Sequence, residues 1–237
     1  MSGKFILIPT PLGELNTATL PQYVVAHIHQ LDTFIAERAK TARHVIKATQ
    51  PPRAISELNI MEMQEAAPVV DFTVVKAILE SGKNIGIMSE AGCPCVADPG
   101  SDIVTWAYAN NFEVMPLVGP SSIMLALMAS GMNGQSFAFQ GYLSAKREEI
   151  GRDLKKMEDT ARRLHQTQIF IETPYRNKQV IEAALSTLSS ATRFCIAADL
   201  TTPTEFIQTH TIAAWKQKKI PDLHKKPAIF LLGVSAP

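Results

Sequence analysis

The stretch from Ser89 to Ser122 constrains the fold more than any other part of the chain. It opens as Ser-Glu-Ala-Gly-Cys-Pro-Cys-Val-Ala-Asp-Pro-Gly (89–100), passes through an apolar segment with helical spacing, and closes as Pro-Leu-Val-Gly-Pro-Ser-Ser (116–122). Ahead of it, Gly86-Ile87-Met88 ends a short apolar run that reads as a buried strand. Gly92, Pro94, Pro99 and Gly100 then fall within nine residues. Glycine admits positive φ and close backbone approach while proline fixes φ, so a loop of this make-up is built for shape. In open α/β sheets, loops at the carboxyl ends of strands are where ligands bind. The second half repeats the device with an apolar strand, a Gly119-Pro120 turn, and Ser121 and Ser122 opening a helix. Two such loops can face one ligand. They can equally be plain strand-to-helix connectors, and spacing alone does not choose.

Around this stretch the chain alternates between strand and helix patterns. Strands are expected at 5–8, 33–36, 59–63, 83–88 and 112–117; helices are expected through 24–31, from the charged stretch 37–44 into Val45 and Ile46 until Pro51 ends it, and over 69–80 and 102–110, with Asn16–Pro21 supplying the first N-cap. That β-turn-α-β rhythm is the pattern of a parallel sheet covered by helices. After the helix at 123–129 the rhythm changes. A strand at 137–143 leads to a long charged helix over Ser144–His165, in which acids and bases are interspersed and can pair. A strand at 168–172 ends in Glu172, a helix starts at Pro174, and strands follow at 193–198, 204–211 and 227–234. Two of these strands leave no room for a helix between them, so a mixed sheet is expected. The fold class is therefore α/β with two α/β domains, 1–118 (mostly parallel) and 119–237 (mixed), and a ligand loop at their hinge.

Composition excludes several classes. With 237 residues, 46% hydrophobic and 19% charged, the chain has ample length for a core, and a net charge of +1 gives no overall basic excess for nucleic acid. No apolar run approaches the ~18 residues that span a bilayer. Phe5–Ile8 follows Met1–Lys4 without a signal-peptide pattern, so a cytoplasmic protein without membrane partners is expected. Cys93, Cys95 and Cys195 suit a reducing compartment, and Cys93-Pro94-Cys95 has the wrong spacing for zinc, so no metal is expected. There is no P-loop, HExxH or GxSxG. Glu90, Asp98 and Glu172, at the ends of buried strands, can act as a base or grip a hydroxyl; salt pairing and capping are equally open to them.

At these loops the sequence resembles the tetrapyrrole methylase superfamily of S-adenosylmethionine-dependent methyltransferases. It looks most like the branch that 2′-O-methylates a cytidine of small-subunit ribosomal RNA. The resemblance is carried in order by Ile8–Leu15, Ser89–Gly100, Pro116–Ser122 with Ala129–Gly131, Phe139–Leu143 and Phe170–Arg176. It implies the tetrapyrrole methylase fold, a homodimer, and S-adenosylmethionine folded into a cleft between the two domains. It also implies that Leu12, Ala91, Gly92, Cys93, Val96, Ser121 and Ser122 approach the cofactor from the first half, and Glu172, Ala197, Pro227 and Ala228 from the second. Methyl transfer needs mainly in-line positioning plus a base for the acceptor, for which Asp98 is the candidate.

The departures concentrate on the acceptor side. Where the RNA branch carries Glu-Asp-Thr-Arg this chain has Glu37-Arg38-Ala39-Lys40, and Tyr175 stands where the branch has His before Arg176. The branch's Ala-Arg-Glu-Leu-Thr-Lys is Ala197–Thr202, without either basic residue, and its closing Lys-Gly-Glu is Lys226-Pro227-Ala228. Three readings stay open: a methyltransferase of ribosomal RNA in the small subunit, a methyltransferase of a corrin-type tetrapyrrole, and a non-catalytic S-adenosylmethionine-binding module.

Overall fold

The computed structural model describes residues 2–13, 16–64 and 69–234. Glu14 and Leu15, the end of the first resemblance segment, lie outside the described residues. Two compact units divide the chain, Met1–Ser121 and Ser122–Pro237. The expected boundary after Val118 lies in the same loop.

In the first unit, β1 (Phe5–Ile8), β2 (Thr33–Ala36), β3 (Asn59–Glu62), β4 (Ile85–Met88) and β5 (Val114–Pro116) form one sheet in the order β3-β2-β4-β1-β5. Every neighbouring pair is parallel. Phe-Ile-Leu-Ile, Thr-Phe-Ile-Ala and Ile-Gly-Ile-Met do not alternate in polarity, because a parallel sheet is covered on both faces. The covers are α1 (Gln22–Gln30) and α2 (Ala39–Ala48), and α3 (Phe72–Glu80) and α4 (Ser101–Ala109). Ile6, Ile8 and Phe34 pack with Val24, Ile28 and Val45 in one core. Phe5, Ile35 and Ile87 pack with Val75, Leu79 and Ile103 in the other. The chain leaving β1 crosses β4 to reach β2, whereas the chain leaving β4 crosses β1 to reach β5. Strand order thus reverses between β1 and β4, and that switch point opens a crevice at the carboxyl edge.

In the second unit, β6 (Phe137–Tyr142), β7 (Thr167–Glu172), β8 (Arg193–Ala198), β9 (Phe206–Thr211) and β10 (Ala228–Gly233) are ordered β6-β7-β10-β8-β9. Only β6 and β7 run parallel, so the sheet is mixed as expected. Its helices are α5 (Ser122–Ser130), α6 (Ile150–Leu164), α7 (Asn177–Thr187) and the single turn α8 (Ile212–Trp215). Phe230 stacks between Phe170 and Phe194 at centroid distances of 5.4 and 5.8 Å, beneath Leu154, Ala161, Val180 and Ala184.

The starts of α3 (Phe72 rather than 69), α6 and α7 differ from expectation, as does the cap ahead of α1. Asn16 caps a single 3-10 turn (Thr17–Thr19), while α1 begins after Pro21. The long helix begins at Ile150 rather than Ser144: the Ser144 amide donates to Asp153 Oδ2 (3.0 Å) and its hydroxyl to Glu149 Oε2 (2.7 Å), so this residue is the loop that the helix holds. Likewise α7 starts at Asn177, because Thr173 and Arg176 close a turn (2.9 Å) after Pro174.

The charges of α6 do not all pair along its surface. Glu158 is fully buried and accepts from Ser189 N (2.7 Å), the Thr192 hydroxyl and Lys155 Nζ (2.6 Å). Burial opposes its charge, but the hydrogen bonds from Lys155, Thr192 and Ser189 outweigh it and hold the carboxyl below its ordinary value. A carboxylate depressed in this way contributes stability above its unfolded-state pKa and loses it as pH falls through the folded value. Glu158→Ala strands two buried donors and should lower the unfolding free energy by about 2–4 kcal/mol at neutral pH. Urea denaturation checks this, and the difference from wild type should shrink as the pH is taken into the acid range.

Candidate functional site

The crevice between β1 and β4 is closed by backbone. Thr10 N donates to Gly92 O (2.9 Å) and Gly92 N to Thr10 O (3.0 Å), an antiparallel bridge joining the loops that leave the two strands. Thr10 is fully buried, and its hydroxyl reaches Ser89 O (3.4 Å). The loop after β5 joins them through Cys93 Sγ, 3.5 Å from Pro120 O. Gly92 sits at φ +82°, where a Cβ would stand 3.1 Å from Leu12 Cδ2. At Gly119 a Cβ would meet the Pro9 ring at 2.2 Å, so only glycine lets these two loops lie side by side. Cys95 and Ala97 also adopt positive φ (68° and 61°), and with Gly92 and Gly100 they coil 92–100 tightly over the strand ends.

Inside that coil lies Asp98, half-buried. Burial, reinforced by the neighbouring Glu37 and Glu90 carboxylates and opposed by the Ser89 hydroxyl, pushes its pKa up to about 6. The acids have defined positions: Glu37 follows β2 and its Oε2 accepts from Glu90 N (3.2 Å), while Glu90 Oε1 accepts from the Thr41 hydroxyl (2.9 Å). Burial and then the Asp98 charge push both the Cys93 and Cys95 thiols up, so neither is a ready thiolate at neutral pH.

The sequence-predicted residues therefore gather in two places. Leu12, Gly92 and Cys93 converge at the carboxyl edge of the first sheet, with Ala91 and Val96 exposed on the same loop. Ser121 ends the first unit and Ser122 opens α5. In the second unit, register places Ala228 opposite both Glu172 and Ala198, with Ala197 one position along and Pro227 O accepting from Asp199 N (3.0 Å). Glu172 is buried; its Oε2 meets Arg176 Nη1 (3.2 Å) and Thr173 N (3.1 Å), while Oε1 has no partner at ordinary hydrogen-bond geometry among the described residues, the Leu143 backbone adding only its pull on the charge. Burial pushes its pKa up against the pull of Thr173 and Arg176. Among the described residues, no group of three His, Cys, Asp or Glu side chains could hold a metal ion, and no helix is long and apolar enough to cross a membrane.

Sequence reasoning missed the Thr10–Gly92 bridge, and no residue pattern announces it. It also missed the clustering of Glu37 with Glu90 and Asp98, which could have been read from three acids at the ends of strands adjacent in a parallel sheet.

No protein-family model matches the chain. Solved structures share its fold throughout. The methyltransferase CobJ covers 99% of this chain and 95% of its own at TM-score 0.64 and 18% identity. Diphthine synthase covers 98% and 90% at TM-score 0.69 and 11% identity. Uroporphyrin-III C-methyltransferase from Thermus thermophilus, solved with S-adenosylhomocysteine, covers 98% and 97% at TM-score 0.57 and 12% identity. The two units have the tetrapyrrole methylase fold of these methyltransferases. Within that class, sequence is decisive. Ribosomal RNA small subunit methyltransferase I of Vibrio cholerae is 30% identical over 208 residues, spanning 87% of this chain and 68% of that protein. The Bacillus subtilis protein of the same name is 30% identical over 184 residues, 76% of this chain and 58% of its own length. The chain belongs to this methyltransferase family, and it spans about two thirds of the length of these relatives.

The clasp yields a graded prediction. Gly92→Ala strains a left-handed residue and should destabilise the protein by about 1–2 kcal/mol. Gly119→Ala drives a methyl into Pro9 and should cost more, about 2–3 kcal/mol. Thermal denaturation of the two variants should rank them in that order.

Proposed function

We propose that this chain transfers a methyl group from S-adenosylmethionine to a ribose 2′-hydroxyl of small-subunit ribosomal RNA. The observation that carries the reading is Asp98, a half-buried carboxyl with its pKa raised, coiled beside the Thr10–Gly92 clasp. The cradle at Gly92 fits the cofactor: a Cβ there would stand 3.1 Å from Leu12 Cδ2, so glycine keeps the space beside Leu12 open. We assign Leu12, Ala91, Gly92, Cys93, Val96, Ser121 and Ser122 to cofactor binding from the first unit. Glu172, Ala197, Pro227 and Ala228 are assigned to it from the second. The acid cluster suits a cationic sulfonium as well.

Bound S-adenosylmethionine supplies an electrophilic methyl group. The chain itself must orient the acceptor hydroxyl and take its proton as the oxygen gains the methyl carbon. Asp98 does this as general base, the proton passing to its carboxylate. A base with a pKa near 6 is largely ionised at neutral pH yet more basic than an ordinary aspartate. The relatives' names support the RNA acceptor, whereas the corrin-type alternative has only fold likeness behind it. The family resemblance further supports a cytoplasmic homodimer.

Two measurements test the reading. Small ribosomal subunits lacking the modification, incubated with the protein and methyl-labelled S-adenosylmethionine, should gain label on one ribose; no transfer to RNA overturns it. Separately, kcat should rise with pH through about 6 and level off. Asp98→Asn should abolish the rise and most of the activity. Because a raised carboxyl pKa makes the folded state lose stability as pH climbs from about 4 through about 6, Asp98→Asn should also melt higher than wild type at neutral pH.

A further inference from the structure

The second unit carries a groove that none of the cofactor residues touches. Its wall is the outer side of α6, and its floor is the edge strand β6 with Gln168 of β7. Two depressions, one lined by Gln140, Tyr142, Asp153 and Met157 and the other by Arg152, Lys155, Asp159 and Arg163, share Lys156 and Thr160, so they run into each other.

The chemistry changes along its length. At the α6 end, Arg152, Lys155, Lys156 and Arg163 face two carboxylates, Asp153 and Asp159. Asp153 is engaged by the Ser144 amide, and Lys155 and Arg152 are partly neutralised by Glu158 (2.6 Å) and Glu149 (3.3 Å). Among the described residues Lys156 and Arg163 form no ion pair, and both are exposed. One helical turn is about 5.4 Å, so residues 156 and 163, two turns apart, lie at roughly the spacing of one to two backbone phosphates. At the β6 end the register shifts between Phe139 and Tyr142, with Gly141 at φ +71°. The irregularity brings Gln140, Tyr142 and Leu143 together on the groove. Tyr142 is 57% exposed. Beside it, Gln140 Nε2 donates to Gln168 Oε1 (2.7 Å), and the fully buried Gln168 in turn donates to Gln166 Oε1 (3.0 Å). The Gln140 amide, itself exposed, is thus held in place by the buried Gln168 amide.

A row of cations, an exposed aromatic ring and a fixed amide are the parts that bind an unpaired nucleotide strand: phosphates to the cations, a base on the ring, its edge to the amide. We propose that this groove binds a single-stranded segment of RNA, with Lys156 and Arg163 on the phosphates and Tyr142 stacked on a base. An acidic protein segment would satisfy the cations but gives Tyr142 and Gln140 nothing specific to do. The inference rests on RNA being the substrate and adds which residues of the second unit grip that substrate.

The test is fluorescence anisotropy of a labelled single-stranded RNA of about ten nucleotides, within the usual site size, titrated with the full chain at several salt concentrations. Lys156→Gln with Arg163→Gln should flatten the slope of log affinity against log salt by about 1.4, the value for two phosphate contacts on a single strand. Tyr142→Ala should weaken binding about tenfold and leave the slope unchanged. Lys178→Gln, on α7 outside the groove, should change neither, which separates this groove from general surface charge. Unchanged affinity and slope in the groove variants overturn the proposal. So does an acidic peptide that competes fully and depends on the same residues. Methyl transfer to ribosomal subunits by wild type with an unaltered KM in the groove variants overturns the groove and leaves the function standing. Groove-dependent RNA binding without methyl transfer does the reverse.

Discussion

The reciprocal pair of hydrogen bonds between Thr10 and Gly92 is the contact on which the first unit's chemistry depends. Parallel strands diverge into separate connections at their carboxyl ends, and at a switch point those connections leave in opposite directions, so nothing in the sheet itself keeps the loops together. Two backbone bonds do so here, and they also complete the pairing of buried polar groups that would otherwise lie unsatisfied at the sheet edge. With the loops joined, Cys93 can reach Pro120, Leu12 can cover Gly92, and the coil that holds Asp98 has a fixed base.

The electrostatics of that coil follow from sheet order rather than from chain order. Glu37 stands more than fifty residues from Glu90 in sequence, yet β2 and β4 are neighbours in parallel register, so the residues that follow them emerge side by side. At that half-buried edge, burial first and then the charges of Glu37 and Glu90 raise the proton affinity of Asp98. The second unit handles its buried acids differently. Glu158 is surrounded by donors and stays charged, so it acts as a structural anchor for α6 against the Ser189–Thr192 turn.

Much of this was legible in the residues. Uninterrupted apolar runs of four, set between glycine- and proline-rich turns, marked the parallel strands, and two strands too close for a helix between them marked the mixed sheet. The organising loop was visible because its glycines and prolines have no other use at that density. Helix starts were harder to read. Ser144 and Pro174 look like the first residues of helices, but hydrogen bonds to Asp153 and Thr173 keep them in turns, and such bonds depend on where the helix ends up. Glu158 read as one more surface charge, since helical spacing alone cannot tell an acid facing water from one facing a ring of buried donors. The Gln140–Gln168 amide pair was equally hidden, because it depends on β6 pairing with β7 across an intervening helix.

The order β3-β2-β4-β1-β5 also bears on how the chain is made. Both partners of β1 lie far downstream of it, β4 at 85–88 and β5 at 114–116. Until some eighty residues more have been synthesised, Phe5–Ile8 has no strand neighbour on either side. The first half thus assembles late and all together, with loop closure preceding any reward from pairing. In the second half, β8 and β9 pair within a few residues of each other and can form as soon as they emerge. In a nascent chain of this topology the segment 5–8 waits for β4 before it can enter a sheet, and until then it is a place for a chaperone to hold.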